Sequence, residues 1–194
     1  LWIGTNKGVT TFNGKTFFQF SPKEGFPEEE ISTIVQDTHG NIWLGLYSDG
    51  VLRYDGRKVY RHTGLESNEV RTAFVDKRGD IWFGTFLGGL NRLPVDWFEI
   101  YSTESGLTSK DIYTIAQDDQ NRMYFGHYGK GVSILDNGKF SRLTKNSGLI
   151  SNRVSSIIFD SKNNLWFGTF DGITKFGRDG RTSFSKYNLS LIHI

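Results

Sequence analysis

The chain has 194 residues, 23 of them glycine, with 15% aromatics, no cysteine and a formal net charge of +2. Acids and bases are interspersed, so no basic stripe points to nucleic acid. The absence of thiols excludes disulfides, thiolate nucleophiles and cysteine-ligated metals, and no apolar run approaches the roughly 20 residues that cross a bilayer.

The chain opens on Leu1-Trp2-Ile3-Gly4-Thr5, which is the tail of a motif that recurs to the end. Asp37 to Leu46 reads DTHGNIWLGL, Asp76 to Thr85 DKRGDIWFGT, Asp118 to His127 DDQNRMYFGH and Asp160 to Thr169 DSKNNLWFGT. The anchors Trp2, Trp43, Trp82, Tyr124 and Trp166 recur about every 40 residues, the length of a four-stranded propeller blade. Within a copy the apolar period is near two and turn residues arrive every eight to twelve positions or so, which predicts an all-β chain.

The third copy sets the pattern: strand one over Val70–Val75, a turn at Arg78-Gly79-Asp80, strand two over Ile81–Thr85, strand three over Leu90–Leu93 and strand four over Phe98–Tyr101. The expected blades are about 1–20 (lacking strand one), 31–62, 70–102, 112–143 and 154–187, in a propeller fragment over 1–188. Strand one carries apolar pairs three residues apart, Ile31 and Ile34, Val70 and Ala73, Ile112 and Ile115, Val154 and Ile157. An odd separation predicts opposite faces, hence a strand covered on both sides by neighbouring blades. Each anchor is followed two positions later by Gly4, Gly45, Gly84, Gly126 or Gly168, which reads as a large–small joint between blades. Tyr124 brings a hydroxyl that needs a partner when buried.

Gly8, Gly50, Gly89, Gly131 and Gly172 fall where the chain reverses into strand three. Links such as Glu24-Gly25-Phe26-Pro27 and Gly148-Leu149-Ile150-Ser151-Asn152 carry the chain into the next copy. Leu189–Ile194 matches no repeat position and reads as a non-native tail. Terminal blades with uncovered apolar faces predict self-association of the isolated chain.

The combination D-x-x-G-N-x-W-x-G-T, G-G-L-x-R and G-L-x-S-N-x-V, repeated in register from Leu1 to about Tyr187, resembles the two-component regulator propeller repeat. That repeat occurs in periplasmic sensor regions of bacterial hybrid two-component sensor histidine kinases. The resemblance implies a periplasmic sensor ectodomain, non-enzymatic in itself, with further blades, a membrane anchor and kinase modules elsewhere in the protein. It also implies a homodimer and recognition of glycans or their breakdown products. Leu46 and His127 in place of Thr, and Gln120-Asn121 in place of Gly, depart from the pattern.

Loops after strand two and links before strand one leave a propeller on one end, its usual ligand face. Two positions after the blade glycine stand Asn6, Tyr47, Phe86, Tyr128 and Phe170, and four rings at one repeat position predict an aromatic arc. Ring faces stack on sugars, while Ser48, Asp49, Asn68, Lys130, Asn152 and Asp171 offer hydrogen bonds; His127 is either a further polar contact or a tolerated variant of Thr. The alternative is that these rings only pack the blade tops or dock other domains.

The recurrent Asp37, Asp76, Asp118 and Asp160 each precede a polar turn and are expected to cap it rather than hold calcium or transfer protons. His39, His62, His127 and His193 lack ligand spacing, so neither metal nor cofactor is expected. A ligand-binding sensor module is the leading reading. A propeller lyase or hydrolase acting on a polysaccharide or small molecule would need an acid–base pair converging near the axis, and no strand-one residue repeats or stands out in that role. A protein-interaction scaffold is the third reading.

Overall fold

The computed structural model describes residues 1–62, 64–94, 98–177 and 180–185. Leu189–Ile194, and with them His193, lie outside the described residues, as do Asp179 and Tyr187. Nineteen strands are found among the described residues, in one three-stranded and four four-stranded antiparallel sheets, the blades of a partial propeller. The chain divides into two compact units, Leu1–Ile100 and Tyr101–Ile194.

In the first unit, β1 (Trp2–Thr5), β2 (Gly8–Phe12) and β3 (Phe17–Gln19) form the short opening blade. The second blade is β4 (Ile31–Gln36), β5 (Ile42–Leu46), β6 (Val51–Tyr54) and β7 (Val59–His62). The third is β8 (Val70–Val75), β9 (Ile81–Thr85), β10 (Leu90–Leu93) and β11 (Glu99–Tyr101), which starts one residue later than its sequence predicts. The second unit holds β12 (Ile112–Gln117), β13 (Met123–His127), β14 (Gly131–Asp136) and β15 (Lys139–Leu143), then β16 (Val154–Phe159), β17 (Leu165–Thr169), β18 (Gly172–Gly177) and β19 (Gly180–Ser185).

One expectation is overturned. The first strand of every four-stranded blade carries a β-bulge, between Ile31 and Thr33, Val70 and Thr72, Ile112 and Thr114, and Val154 and Ser156. In the second blade Ile31 faces Leu46 and Ile34 faces Leu44, so the two isoleucines share a face despite their odd separation. The bulge contributes the extra residue that restores parity. The opposite face is covered by the next residue along, Val35 in the second blade and Ala116 in the fourth.

These faces meet across the blade seams. Trp43 and Val35 pack with Val70, Ala73 and Phe83 in the first unit, and Tyr124 and Ala116 with Val154, Ile157 and Phe167 in the second. The blade glycine makes the approach possible. A Cβ on Gly45 would stand 2.6 Å from Val70 Cγ1 and 2.5 Å from Thr33 Cγ2, closer than atoms can pack. Two-sided burial supplies what a short four-stranded sheet lacks alone.

The turns are fixed by one carboxylate each. Asp76 Oδ1 accepts the amides of Arg78 and Asp80, and its Oδ2 accepts the Trp82 indole N–H at 2.9 Å. Asp37 with Trp43 and Asp160 with Trp166 repeat this at 2.8 and 2.9 Å. In the fourth blade the Tyr124 hydroxyl donates to Asp118 at 3.2 Å, so the phenol replaces the indole on the same acceptor. The anchor ring and the turn acid are thus one device joining the hairpin to the blade seam.

The links contain two short 3-10 turns that the strand reading does not anticipate, Pro22–Glu24 and Lys145–Ser147. Ser21 and Glu24 form a reciprocal capping box at the first. Beyond the turns Phe26, Leu107 and Leu149 are buried, and link amides bond to buried polar groups of strand three: Thr108 N–H to Ser133 Oγ at 2.9 Å, Ile150 N–H to Thr174 Oγ1 at 2.9 Å. Each link is therefore tied to the blade it enters.

Candidate ligand face

The bulges decide what stands at the ends of the strands. Their extra residues are Ser32, Arg71, Tyr113 and Ser155. The two serines donate to the carbonyls of Gly45 and Gly168. Arg71 and Tyr113 instead reach the aromatic positions that follow strand two. A bulge commonly re-aims a side chain in this way.

In the first unit the Arg71 guanidinium lies 4.6 Å from the Tyr47 ring centroid and 5.1 Å from that of Phe86, clamping two adjacent blades, and it pairs with Glu69. Tyr47 N–H donates to Glu30 O and Phe86 N–H to Glu69 O, which fixes both ring-bearing loops against the links. In the second unit the Arg153 guanidinium lies 4.4 Å from Tyr128 and 4.1 Å from Phe170. Tyr128 bridges Arg153 through the backbone and stacks on Tyr113 at 5.4 Å. Such cation–π contacts contribute about 0.5–2 kcal/mol each, more as water is excluded.

The predicted rings are therefore brought together in pairs, each pair around an arginine. Tyr47, Tyr128 and Phe170 are exposed, Phe170 at 60%, whereas Phe86 is half-buried. Each guanidinium occupies a ring face that was expected to be free for stacking. Asp49 is ion-paired with Arg61, and Ser48 donates to Glu29. Lys130 is exposed, and Asp171 is half-buried with a partner of its own. The Asn68 and Asn152 carbonyls accept the amides of Gly50 and Gly131, fixing the turns into strand three.

His127 requires a correction. It is fully buried, with Nδ1 2.9 Å from the Asp111 carbonyl and Nε2 2.7 Å from Ser133 Oγ. Burial, only partly opposed by the Asp111 carbonyl, pushes its pKa down to about 4, so the ring is neutral at pH 7. A consistent assignment has Nδ1–H donating to Asp111 O and Nε2 accepting from Ser133, which in turn accepts the Thr108 amide. His127 locks a link to its blade and does not reach a ligand. The inward orientation of the last residue of strand two explains this, since Thr85 at the same repeat position is also buried, donating to Gly89 O.

Arg71 and Arg153 are the residues that reading by repeat position misses. Arg71 follows the first buried valine of its strand and Arg153 precedes it, so the two share no repeat offset. The available signal is weaker: an Arg within three residues of the link Asn in both copies, Arg71 after Asn68 and Arg153 after Asn152.

A polar cavity of about 300 Å³ opens at this end of the second unit, lined by Thr108, Lys130, Arg142, Thr144, Asn146 and Asn152. Larger clefts of about 600 and 410 Å³ open at the opposite, turn end of the blades, beside Asp37 and Trp43 in one unit and Asp118 and Tyr124 in the other. The carboxylates there are already committed. Burial raises the Asp37 pKa, but the Trp43 indole and Asn41 outweigh it and hold the group below the usual range. Burial likewise raises the Asp118 pKa, but the Arg122 side chain and amide outweigh it and hold that group low.

The two-component regulator propeller model matches residues 25–48, 64–86, 106–129 and 148–171, each match spanning a link, strand one, the turn and strand two. No curated protein matches the chain in sequence. Among solved structures, the extracellular domain of the hybrid two-component system BT3049 of B. thetaiotaomicron is 27% identical with a TM-score of 0.82 over 96% of this chain. That of the one-component system BT4673 of the same organism is 20% identical, TM-score 0.78, over 95%. This chain spans 27% and 29% of the length of those two chains. The virginiamycin B lyase of Staphylococcus aureus, 15% identical with a TM-score of 0.72 over 95% of this chain and 65% of its own, shares the fold. Four matched repeats and the shared architecture place the chain in the two-component regulator propeller family, as a propeller related to the extracellular sensor regions of two-component systems.

Proposed function

We propose that the chain is a ligand-binding part of a two-component sensor and that the strand-two end of its blades, with Tyr128 and Phe170 at its centre, takes a glycan-derived small ligand. The observation that carries this reading is the second unit's exposed ring pair beside a polar cavity of about 300 Å³. Rings supply apolar contact and the cavity supplies donors and acceptors, the combination that small polar ligands require. Recognition is non-enzymatic in this reading, and any kinase activity belongs to other parts of the protein. The intact protein carries further blades and signalling domains, lies with this face in the periplasm and works as a homodimer.

The test is Tyr128→Ala, compared with the unaltered chain against a panel of neutral and acidic disaccharides by calorimetry, with melting followed in parallel. The expected result is loss of disaccharide binding with the melting temperature lowered by no more than a few degrees. Undiminished binding, or a collapse in melting temperature, would show that the ring serves packing.

A further inference from the structure

We infer that the second unit's face selects an acidic sugar, one carrying a carboxylate or a sulfate ester; this rests on the proposed sensing role and goes beyond it by naming the ligand's charge. Three cations converge on that end through adjacent chain segments. Lys130 and Arg142 line the cavity of about 300 Å³ together with Asn152, and Arg153 follows Asn152 in sequence, bridged to Tyr128. Among the described residues none of the three has an ion-pair partner. The cavity lining contains no acid.

The arrangement is prepared for an anion. A guanidinium held 4.4 and 4.1 Å from two ring centroids has limited rotamer freedom, and its N–H groups point along its edges, the geometry that matches a carboxylate or sulfate. A sugar ring and an anionic substituent therefore meet complementary groups within one short surface: the exposed parts of Phe170 and of the Tyr128 edge for apolar contact with the ring, Lys130, Arg142 and Arg153 for the charge. Thr108, Thr144, Asn146 and Asn152 supply neutral polar groups for hydroxyls.

The equivalent end of the first unit lacks this surplus. Arg71 is paired with Glu69 and Arg61 with Asp49. Fixed neutralisation of this kind removes the attraction for a second anion.

The experiment uses the whole chain with four probes: a hexuronate-containing disaccharide, its carboxyl-reduced neutral counterpart, the sulfated form of that neutral sugar, and inorganic sulfate. The double variant Lys130→Gln, Arg142→Gln is run beside it, with melting temperature as the control for folding. At least one acidic sugar is expected to bind about tenfold or more tightly than the neutral one, with a preference that falls with salt and is lost in the double variant at unchanged melting temperature. Which acidic sugar binds separates uronate from sulfate ester. Equal binding of acidic and neutral sugars, or a preference that survives in the double variant, overturns the inference while the sensing role stands. Inorganic sulfate binding as tightly as the sulfated sugar also overturns it, leaving a simple ion site, and failure of all sugars removes the sensing role as well.

Discussion

The two units build the same clamp from different material. In each, an arginine holds together the rings that follow strand two of adjacent blades, Arg71 between Tyr47 and Phe86, Arg153 between Tyr128 and Phe170. Arg71 comes from a bulge and is neutralised by Glu69, whereas Arg153 comes from a link and keeps its charge uncompensated among the described residues. The packing requirement is shared between blades; the electrostatic outcome is set by the single residue that each copy places beside it. Repetition fixes the frame of this protein, and departures from repetition fix what the frame carries.

The joint between hairpin and seam rests on a buried ring and on one carboxylate bond in both units, and the largest expected effect separates the two contributions. Trp82 is 1% exposed and donates to Asp76, so Trp82→Ala should cost about 3–5 kcal/mol through the cavity and leave Asp76 without its indole donor. Tyr124→Phe in the second unit keeps the ring and loses one hydroxyl bond to Asp118, with an expected cost of about 1 kcal/mol. Urea unfolding of both variants measures the difference. Equal losses would mean that the carboxylate bond, not ring burial, dominates at this joint.

A second difference, between the third blade and the fourth, is the residue ending strand two, Thr85 in the one and His127 in the other. The folded-state pKa of His127, depressed to about 4 from an ordinary value near 6.5, means that the unfolded chain binds the proton more readily between those limits. Stability is therefore fully present above about pH 6.5 and declines as pH falls toward about 4, by on the order of 3 kcal/mol in total. His127→Thr, which copies the third blade, should remove most of this acid sensitivity. Unfolding midpoints of the two chains at pH 7.5 and 5 read the effect, and parallel pH curves would show that His127 is not its source.

Much of the frame was legible because short strands, turn carboxylates and anchor rings are each specified within a few residues. Val70–Val75, Ile81–Thr85 and Leu90–Leu93 fall where alternation and turn residues put them. The bulge was not legible, since an extra residue in one strand shows only against its partner's register, and parity therefore misassigned Ile31 and Ile34 to opposite faces. Of the candidate face, the rings were found from their common repeat position. The arginines were missed because sandwiching depends on where a side chain arrives, and chain positions on either side of a buried valine arrive at the same place. The repeat position of His127 falls at the ligand face, which suggests a polar contact or else a variant of Thr; the ring is buried like Thr85, with Ser133 and Asp111 satisfying both ring nitrogens inside.

The contrast between the clamps is tested most directly by following the arginine Nε–Hε resonances of the whole chain during titration with the hexuronate-containing disaccharide. The Arg153 signal is expected to shift progressively to saturation while that of Arg71, held by Glu69, stays in place. Equal movement of both signals, or movement of Arg71 alone, would contradict the account.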